Sequence, residues 1–157
     1  MRRRVFAVVA PIVVMFGATP VPGVSSTDRY SQQTPVDTTV VIRSEGPSLE
    51  FVPTRIAVKT GLRVRVRFIN DGLLPHNIVF PRDENDIDDL AAGAIEAAAT
   101  GYVPMAQKAK LFGYSGLAKP TQTVEAVLTM PAPGEYRFLC LYPGHQNNMV
   151  GILRSLH

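Results

Sequence analysis

The segment Leu62-Arg-Val-Arg-Val-Arg-Phe-Ile69 alternates apolar and basic side chains with a period of two. Successive side chains of a β-strand point to opposite faces, so this pattern predicts a strand with buried apolar residues and solvated arginines. On either side of it, short runs rich in β-branched and aromatic residues are separated by Gly and Pro, a composition typical of strands and turns. These runs predict seven further strands, at residues 38–43, 48–52, 55–58, 77–80, 121–129, 134–140 and 150–155. About eight short strands at this spacing indicate an all-β protein, a Greek-key barrel or sandwich.

One segment between these strands has helical periodicity. Asp83 or Asn85 is placed to cap its first turn, and Gly101 lies where a helix is expected to end. Acidic residues at positions 86, 88 and 89 suit the positive end of a helix, and an acidic docking patch is the alternative. The apolar residues that predict this one inserted helix fall on a single stripe: Ile87, Leu90, Ala91, Ala94, Ile95 and Ala98.

The N-terminus has the pattern of an export signal. Three arginines at positions 2–4 precede an apolar run at residues 5–16, and small residues at Gly23 and Ser26 offer cleavage points. The run is shorter than the roughly 20 residues that cross a bilayer. We therefore predict a signal peptide at residues 1–26, a flexible linker at residues 27–36 and one domain at residues 37–157. An uncleaved anchor is the alternative for the first segment; after cleavage, no stable membrane insertion is expected.

The positive net charge belongs to this signal. The chain has 16 basic and 13 acidic residues, and three of the basic ones are the arginines of residues 2–4. The predicted mature chain is therefore close to neutral. A neutral chain gives no reason to expect binding to nucleic acid or to an acidic lipid surface.

Cys140 is the one cysteine of the chain. Exported proteins usually pair their cysteines in disulfides, so a single one indicates an intermolecular bond, a free thiol or a thiolate bound to something else. It opens the segment Cys140-Leu-Tyr-Pro-Gly-His-Gln-Asn-Asn-Met149, in which a Pro-Gly turn returns a histidine and a methionine toward the thiol. Two His and one Cys in a trigonal plane, with a weak axial Met, are the ligands of blue copper electron-transfer sites.

The second histidine of such a site has to come from elsewhere in the chain. His157 is the last residue and is expected to fray, whereas His76 lies between a Gly/Pro turn and an apolar strand. The ligands predicted for one type 1 copper ion are therefore His76, Cys140, His145 and Met149.

Two segments resemble the blue copper proteins of the cupredoxin family. Asn70-Asp-Gly-Leu-Leu-Pro-His-Asn-Ile-Val-Phe80 is similar to the first-histidine segment of plastocyanins. Cys140-Leu-Tyr-Pro-Gly-His-Gln-Asn-Asn-Met-Val-Gly151 is similar to the ligand loop of azurins and auracyanins. The likeness extends over residues 40–153, and the ligand loop is its most specific part.

The resemblance implies an eight-stranded Greek-key barrel with one type 1 copper at one end. In such a site the two histidines supply imidazole nitrogens, the cysteine supplies the thiolate and the methionine supplies the axial sulfur. Asn77 is then expected to brace the ligand loop, and a backbone N–H near Tyr142 to point at the Cys140 sulfur. Pro75 stands where azurins have a Gly whose carbonyl approaches copper, which favours a four-coordinate site.

The predicted function is that of an exported, monomeric electron carrier. It would exchange single electrons with a redox donor protein and an acceptor protein in the periplasm or outside the cell. A copper-handling protein of the same compartment is the alternative, although the chain lacks a Met-rich or His-rich tract. An enzyme is not expected, because copper oxidases that resemble linked cupredoxins have a His beside the ligand Cys, where this chain has Leu141.

Electrons are expected to leave through the ring edge of His145, which should face solvent. Apolar loop residues around this edge would form the docking surface, and burial of the two leucines at positions 73 and 74 in the core is the alternative. The residues predicted for this surface are Leu73, Leu74, Pro75, Leu141 and Pro143.

Overall fold

The structure is a computed structural model that describes residues 35–157. The signal peptide predicted at residues 1–26 and most of the linker predicted at residues 27–36 lie outside the described residues. Within residues 35–157, no helix has both the length and the apolar character that crossing a bilayer requires.

Eight strands and one α-helix form the framework of the described chain. The elements are β1 (Thr38–Gly46), β2 (Arg55–Lys59), β3 (Arg63–Gly72), β4 (Val79–Pro81), α1 (Ile87–Ile95), β5 (Leu111–Tyr114), β6 (Thr123–Thr129), β7 (Gly134–Leu139) and β8 (Val150–Leu156). One sheet has the strand order β1-β3-β6, and the other has the order β2-β8-β7-β4-β5. The predicted all-β architecture of about eight strands with one inserted helix is confirmed.

The alternating segment forms β3, the central strand of the smaller sheet. Its inward residues Val64, Val66 and Phe68 are at most 1 % exposed. β1 pairs with it in parallel and β6 pairs with it antiparallel. Since a shift of one residue would turn every buried side chain to solvent, the apolar alternation sets this register.

The main core lies between the two sheets and contains a cluster of aromatic rings. Phe51 packs against Phe68 and Phe138 at ring-centroid distances of 5.7 and 5.2 Å, and Phe80 lies 5.7 Å from Phe138. Cys140 belongs to the same cluster, so apolar side chains surround its thiol on the protein side. A second cluster lies under α1 and consists of Val79, Leu90, Ala94, Val103, Leu111, Leu139 and Leu141.

One predicted strand is wrong, and one strand of the structure was not predicted. Residues 48–52 form no strand, because Pro47 and Pro53 flank them and only Val52 pairs, in one isolated bridge with Arg43. β5 was missed because a four-residue strand that contains Gly113 is too short for a period-two pattern. The close approach of this strand requires the glycine, since a Cβ there would lie 2.9 Å from the side chain of Leu128.

The helix is shorter than its apolar stripe. It ends at Ile95, which is 64 % exposed, and Ala98 begins a separate 3₁₀ turn. Gly101 closes that turn in the left-handed conformation, at φ 68°. Asp83 caps the preceding 3₁₀ turn by accepting a hydrogen bond from the N–H of Asn85. The helical periodicity is therefore correct at Leu90 and Ala94 and wrong beyond them.

Candidate metal centre

The loop between β7 and β8 carries three of the predicted ligands. Cys140 follows the last residue of β7, and its N–H donates to the carbonyl of Met149 at 3.1 Å. The N–H of Met149 donates in turn to the carbonyl of His145 at 2.8 Å, and that of His145 to the carbonyl of Tyr142 at 3.0 Å. These hydrogen bonds close the loop, so its three ligand residues hold fixed positions at one end of the sandwich.

His76 enters the site from the other side, just before β4. It exchanges two backbone hydrogen bonds with Ala118: its N–H donates at 3.0 Å and its carbonyl accepts at 2.7 Å. Because both bonds are buried, they anchor the backbone of His76 independently of the β7–β8 loop.

Asn70 supports His76 from within the protein, a role that sequence reasoning missed. Its Nδ2 donates to the carbonyls of Leu74 and Ala118, at 2.8 and 2.9 Å. Its Oδ1 accepts from Ser44 Oγ at 2.8 Å and from the N–H of Gly72 at 3.0 Å. Ser44 and Asn70 face each other in the β1–β3 register and are fully buried. Two polar residues at inward positions of strands were the signal that could have found this network, because buried polar groups need partners.

The structure brings the two histidines and the cysteine together. The Nδ1 atoms of His76 and His145 lie 3.1 Å apart, and each lies 3.8 Å from Cys140 Sγ. His76, Cys140 and His145 are 1, 0 and 6 % exposed. Met149 is fully buried in the same cluster as Cys140. His157, in contrast, is exposed at the chain end.

This triangle of donors has the right size for a metal ion. First-row ions bind imidazole nitrogen at about 2.0–2.1 Å and thiolate at about 2.3 Å, values known for zinc. The observed sides of 3.1, 3.8 and 3.8 Å are short enough for one ion to lie within about these lengths of all three donors. Two imidazoles and one thiolate at this separation are the donor set that would hold copper in a blue copper site.

Burial sets the protonation states of the metal-free donors. It lowers the pKa of His76 to about 4, with a smaller contribution from the neighbouring His145, and it also lowers the pKa of His145. Burial raises the pKa of the Cys140 thiol to about 11, although hydrogen bonds from backbone N–H groups oppose the rise. At neutral pH both imidazoles therefore offer lone pairs, whereas the thiol holds its proton until a metal replaces it.

The two contacts expected around the ligands are present. Asn77 Oδ1 accepts from the N–H of Leu141 at 2.7 Å, and Asn77 Nδ2 donates to the carbonyl of Gly101 at 2.8 Å. The N–H of Tyr142 points at Cys140 Sγ, with a nitrogen–sulfur distance of 3.4 Å. Such contacts orient ligands and tune the electron density on sulfur.

The apolar surface beside the site differs from its prediction at one residue. Leu73 and Leu74 are 67 and 43 % exposed, which excludes their burial in the core, and Pro143 is also exposed. Leu141 is buried in the cluster under α1, so its assignment to the surface is wrong. The side chains of Cys140 and Leu141 point to opposite sides of the chain, and α1 covers the side to which Leu141 points.

The acidic turn at the start of α1, residues 83–89, carries five carboxylates, of which three form ion pairs. Lys110 Nζ lies 2.9 Å from carboxylate oxygens of both Asp86 and Asp89, and these hydrogen bonds raise the pKa of Lys110. Arg137 lies 2.9 Å from Glu84. These ion pairs favour a structural role for the acidic turn over a docking patch.

Known proteins provide an independent comparison. A family described as copper binding proteins, plastocyanin/azurin family, matches residues 38–154. Auracyanin-A of Chloroflexus aurantiacus is 36 % identical over 118 residues, which are 73 % of this chain and 72 % of that protein. The solved structure of auracyanin A, described as a "blue" copper protein, has a TM-score of 0.70 at 34 % identity and covers 75 % of this chain and 98 % of its own.

A second solved structure is similar to the same extent. Dithionite-reduced auracyanin from the photosynthetic bacterium Roseiflexus castenholzii has a TM-score of 0.71 at 29 % identity, over 78 % of this chain and all of its own. The sequence match and the fold agree with the donor geometry. The chain belongs to the plastocyanin/azurin family of copper binding proteins, and it is a blue copper protein of the cupredoxin type.

Proposed function

We propose that this protein is an exported carrier of single electrons. The observation that carries the proposal is the buried donor triangle, in which one thiol and two imidazole nitrogens lie within 4.8 Å of one another. The ligands assigned to one copper ion are His76, Cys140, His145 and Met149.

Copper, when bound, supplies a one-electron couple between Cu(I) and Cu(II). The chain supplies a soft thiolate that suits the reduced ion and imidazoles that suit both states. Asn77 accepts a hydrogen bond from the ligand loop and Ala118 exchanges two with His76, so both ligand segments are held in place and little movement has to accompany each electron. Burial excludes water from the ligand atoms, and the N–H of Tyr142 withdraws electron density from the sulfur.

The same burial argues against a copper-handling role. A protein that delivers copper has to open its ligands to a partner, whereas His76 and Cys140 are at most 1 % exposed. We infer that partners exchange electrons with the protein in brief encounters and do not take copper from it or deliver copper to it. A monomer without enzymatic activity, with a four-coordinate site beside Pro75, is the form we propose.

An absorption spectrum tests the proposal. Copper(II) should bind one to one and produce an intense visible band, because the thiolate sulfur donates charge to the ion. Cys140→Ser should abolish the band and leave the chain folded, whereas Ser115→Ala, at another buried position, should keep it. A Cys140→Ser protein that stays blue would refute the ligand assignment.

Export has its own test. We propose that residues 1–26 are a cleaved signal, that residues 27–36 are a linker and that the domain at residues 37–157 acts in the periplasm or outside the cell. After removal of the three N-terminal arginines the basic and acidic residues are equal in number, at 13 each, which suits such a mature form. The intact mass of the native protein should correspond to a start between residues 23 and 28; retention of residues 1–26 would indicate a tethered form instead.

A further inference from the structure

A chain of aromatic rings continues from His145 away from the copper ligands. The ring of Tyr142 lies 4.8 Å from that of His145, measured between centroids, and the ring of Tyr102 lies 4.9 Å from that of Tyr142 in a T-shaped contact. Both distances are within the range of favourable aromatic pairs. Both tyrosines are partly exposed, so the chain of rings runs from a buried ligand to solvent.

The backbone at Tyr102 is held in a conformation that bulky residues rarely adopt. Its φ is 65°, in the left-handed region, and it directly follows Gly101 at φ 68°. Residues held in this region are strained and persist only where their surroundings enforce them, which is common at functional sites. Here the N–H of Tyr102 donates to the carbonyl of Ala97 at 2.8 Å, and Val103 is buried immediately after it.

One side chain ties this turn to the copper loop. Asn77 donates to the carbonyl of Gly101 and accepts from the N–H of Leu141. These are the residues immediately before Tyr102 and Tyr142, respectively. Asn77 therefore fixes the turn that carries Tyr102 relative to the loop that carries Tyr142, and it also braces the ligand loop.

Because His145 is largely buried, the aromatic rings beside it are placed to connect it with the protein surface. The ring edge of His145 was expected to face solvent, but His145 is only 6 % exposed, so only a small part of that edge reaches solvent. Electron tunnelling falls steeply with distance through empty space and is more efficient through atoms in contact. We propose that Tyr142 and Tyr102 form an electron route between His145 and the protein surface, an inference that rests on the carrier function proposed above.

The route can be tested with a redox label near Tyr102. In the copper-loaded protein, Ala99→Cys provides an exposed thiol three residues before Tyr102, while Cys140 remains buried. A ruthenium complex on this thiol, which a light flash and a dissolved electron-accepting quencher oxidise from Ru(II) to Ru(III), takes one electron from the reduced site. The label becomes Ru(II) and the site passes from Cu(I) to Cu(II); no bond breaks and no proton moves. The first-order rate of this step is the measurement.

Removal of the Tyr102 ring should slow this rate severalfold. Tyr102→Leu removes the ring, and Tyr102→Asn removes it with a residue that tolerates the left-handed backbone. Tyr102→Phe keeps the ring and should keep the rate, and Tyr136→Leu, at a tyrosine outside the chain of rings, is the matched control. A second label at Lys119→Cys reaches the site through Ala118 and His76, so its rate should not respond to Tyr102→Asn.

The metal-free protein offers a second measurement. Two-dimensional NMR of the copper-free protein should show cross-peaks between Tyr102 and Tyr142 and between Tyr142 and His145. Tyr102→Asn should keep the visible band and the reduction potential. If it also keeps the wild-type rate of electron transfer to the label at Ala99→Cys, the route is refuted while the carrier function stands. Missing ring contacts in the wild type would also refute the route. A wild type without the visible band would refute the carrier function, and the route with it.

Discussion

In the metal-free protein, Cys140 carries a proton that metal binding has to displace, whereas His76 does not. With a pKa of about 11, the buried thiol is protonated at neutral pH, and with a pKa of about 4, the imidazole of His76 is neutral. Metal binding requires a thiolate and a neutral imidazole. Only the cysteine therefore has to lose a proton.

A proton-release measurement follows from these pKa values. At pH 7, binding of one copper(II) ion should release about one proton, and the affinity should rise about tenfold per pH unit around neutrality. Calorimetric titration in buffers of different ionisation enthalpy measures the release. Cys140→Ser is the control and should release none. Release of no proton by the wild type would mean that the metal-free thiol is already ionised, contrary to its burial.

The ligands should also differ in strength. An axial thioether bond is long and weak, so Met149→Leu should keep the blue band and raise the reduction potential by removing a donor to copper(II). His76→Ala should weaken copper binding far more, because it removes a ligand in the plane. Chelator competition and voltammetry measure both effects.

Two residues of the same types serve as controls. Met105, which is 38 % exposed, and His157, at the chain end, lie outside the donor cluster. Met105→Leu and His157→Ala should leave the potential and the affinity unchanged. If Met149→Leu lost copper as readily as His76→Ala, the division into axial and planar ligands would be wrong.

At the level of elements, the site depends on how tightly β8 packs under the aromatic core. Gly151 follows the first residue of β8, two positions after Met149. A Cβ at this glycine would lie 2.1–2.7 Å from ring atoms of Phe138, which is fully buried. A ring enclosed by the core cannot move aside without displacing its neighbours.

Gly151→Ala should therefore destabilise the fold. Overpacking of this kind costs about 1–3 kcal/mol, and the contact here is severe enough to place the variant at the upper end. Urea unfolding of the copper-free protein measures the loss. Gly116→Ala is the matched control, because no atom beyond its chain neighbours lies within 4 Å of the added Cβ, and it should change the stability by less than about 0.5 kcal/mol. Equal stabilities of the two variants would contradict the close packing of β8.

At the scale of the whole molecule, electron exchange needs a contact surface that holds partners only briefly. Leu73 and Leu74 expose apolar surface just before His76, and Lys110 pairs with two of the five carboxylates of the acidic turn. Weak redox encounters use small interfaces, and a nearly neutral carrier steers partners little by charge.

Leu74→Lys should slow electron self-exchange by roughly tenfold or more, because two like charges would meet when two copies dock. Val127→Lys is the matched control: Val127 has the same 43 % exposure as Leu74 but lies on β6. The copper spectrum should not change in either variant, and moderate salt should alter the wild-type rate only slightly. NMR line broadening in mixtures of the reduced and oxidised protein measures the rate. A rate indifferent to Leu74→Lys but steeply dependent on salt would favour docking at the acidic turn.

Local features of this chain could be predicted from sequence because they depend on neighbours a few residues apart. The period of two in β3 follows from the pleat of a strand, and the helical stripe was correct at Leu90 and Ala94. The spacing of Cys140, His145 and Met149 within one loop identified the donor types and the kind of metal. These properties are written in consecutive residues, so no knowledge of the distant chain was needed.

Distant pairings were decided only by the tertiary structure. The 3.1 Å approach of His76 to His145 joins residues 69 positions apart, and Asn70 supports His76 through Ala118, which lies 48 positions away. Likewise, α1 decides that Leu141 is buried, and the turn that Asn77 holds decides that Tyr102 meets Tyr142. Each of these contacts depends on how two sheets and a helix pack together, because a side chain's neighbours across the core are set by the whole arrangement and not by the residues beside it in sequence.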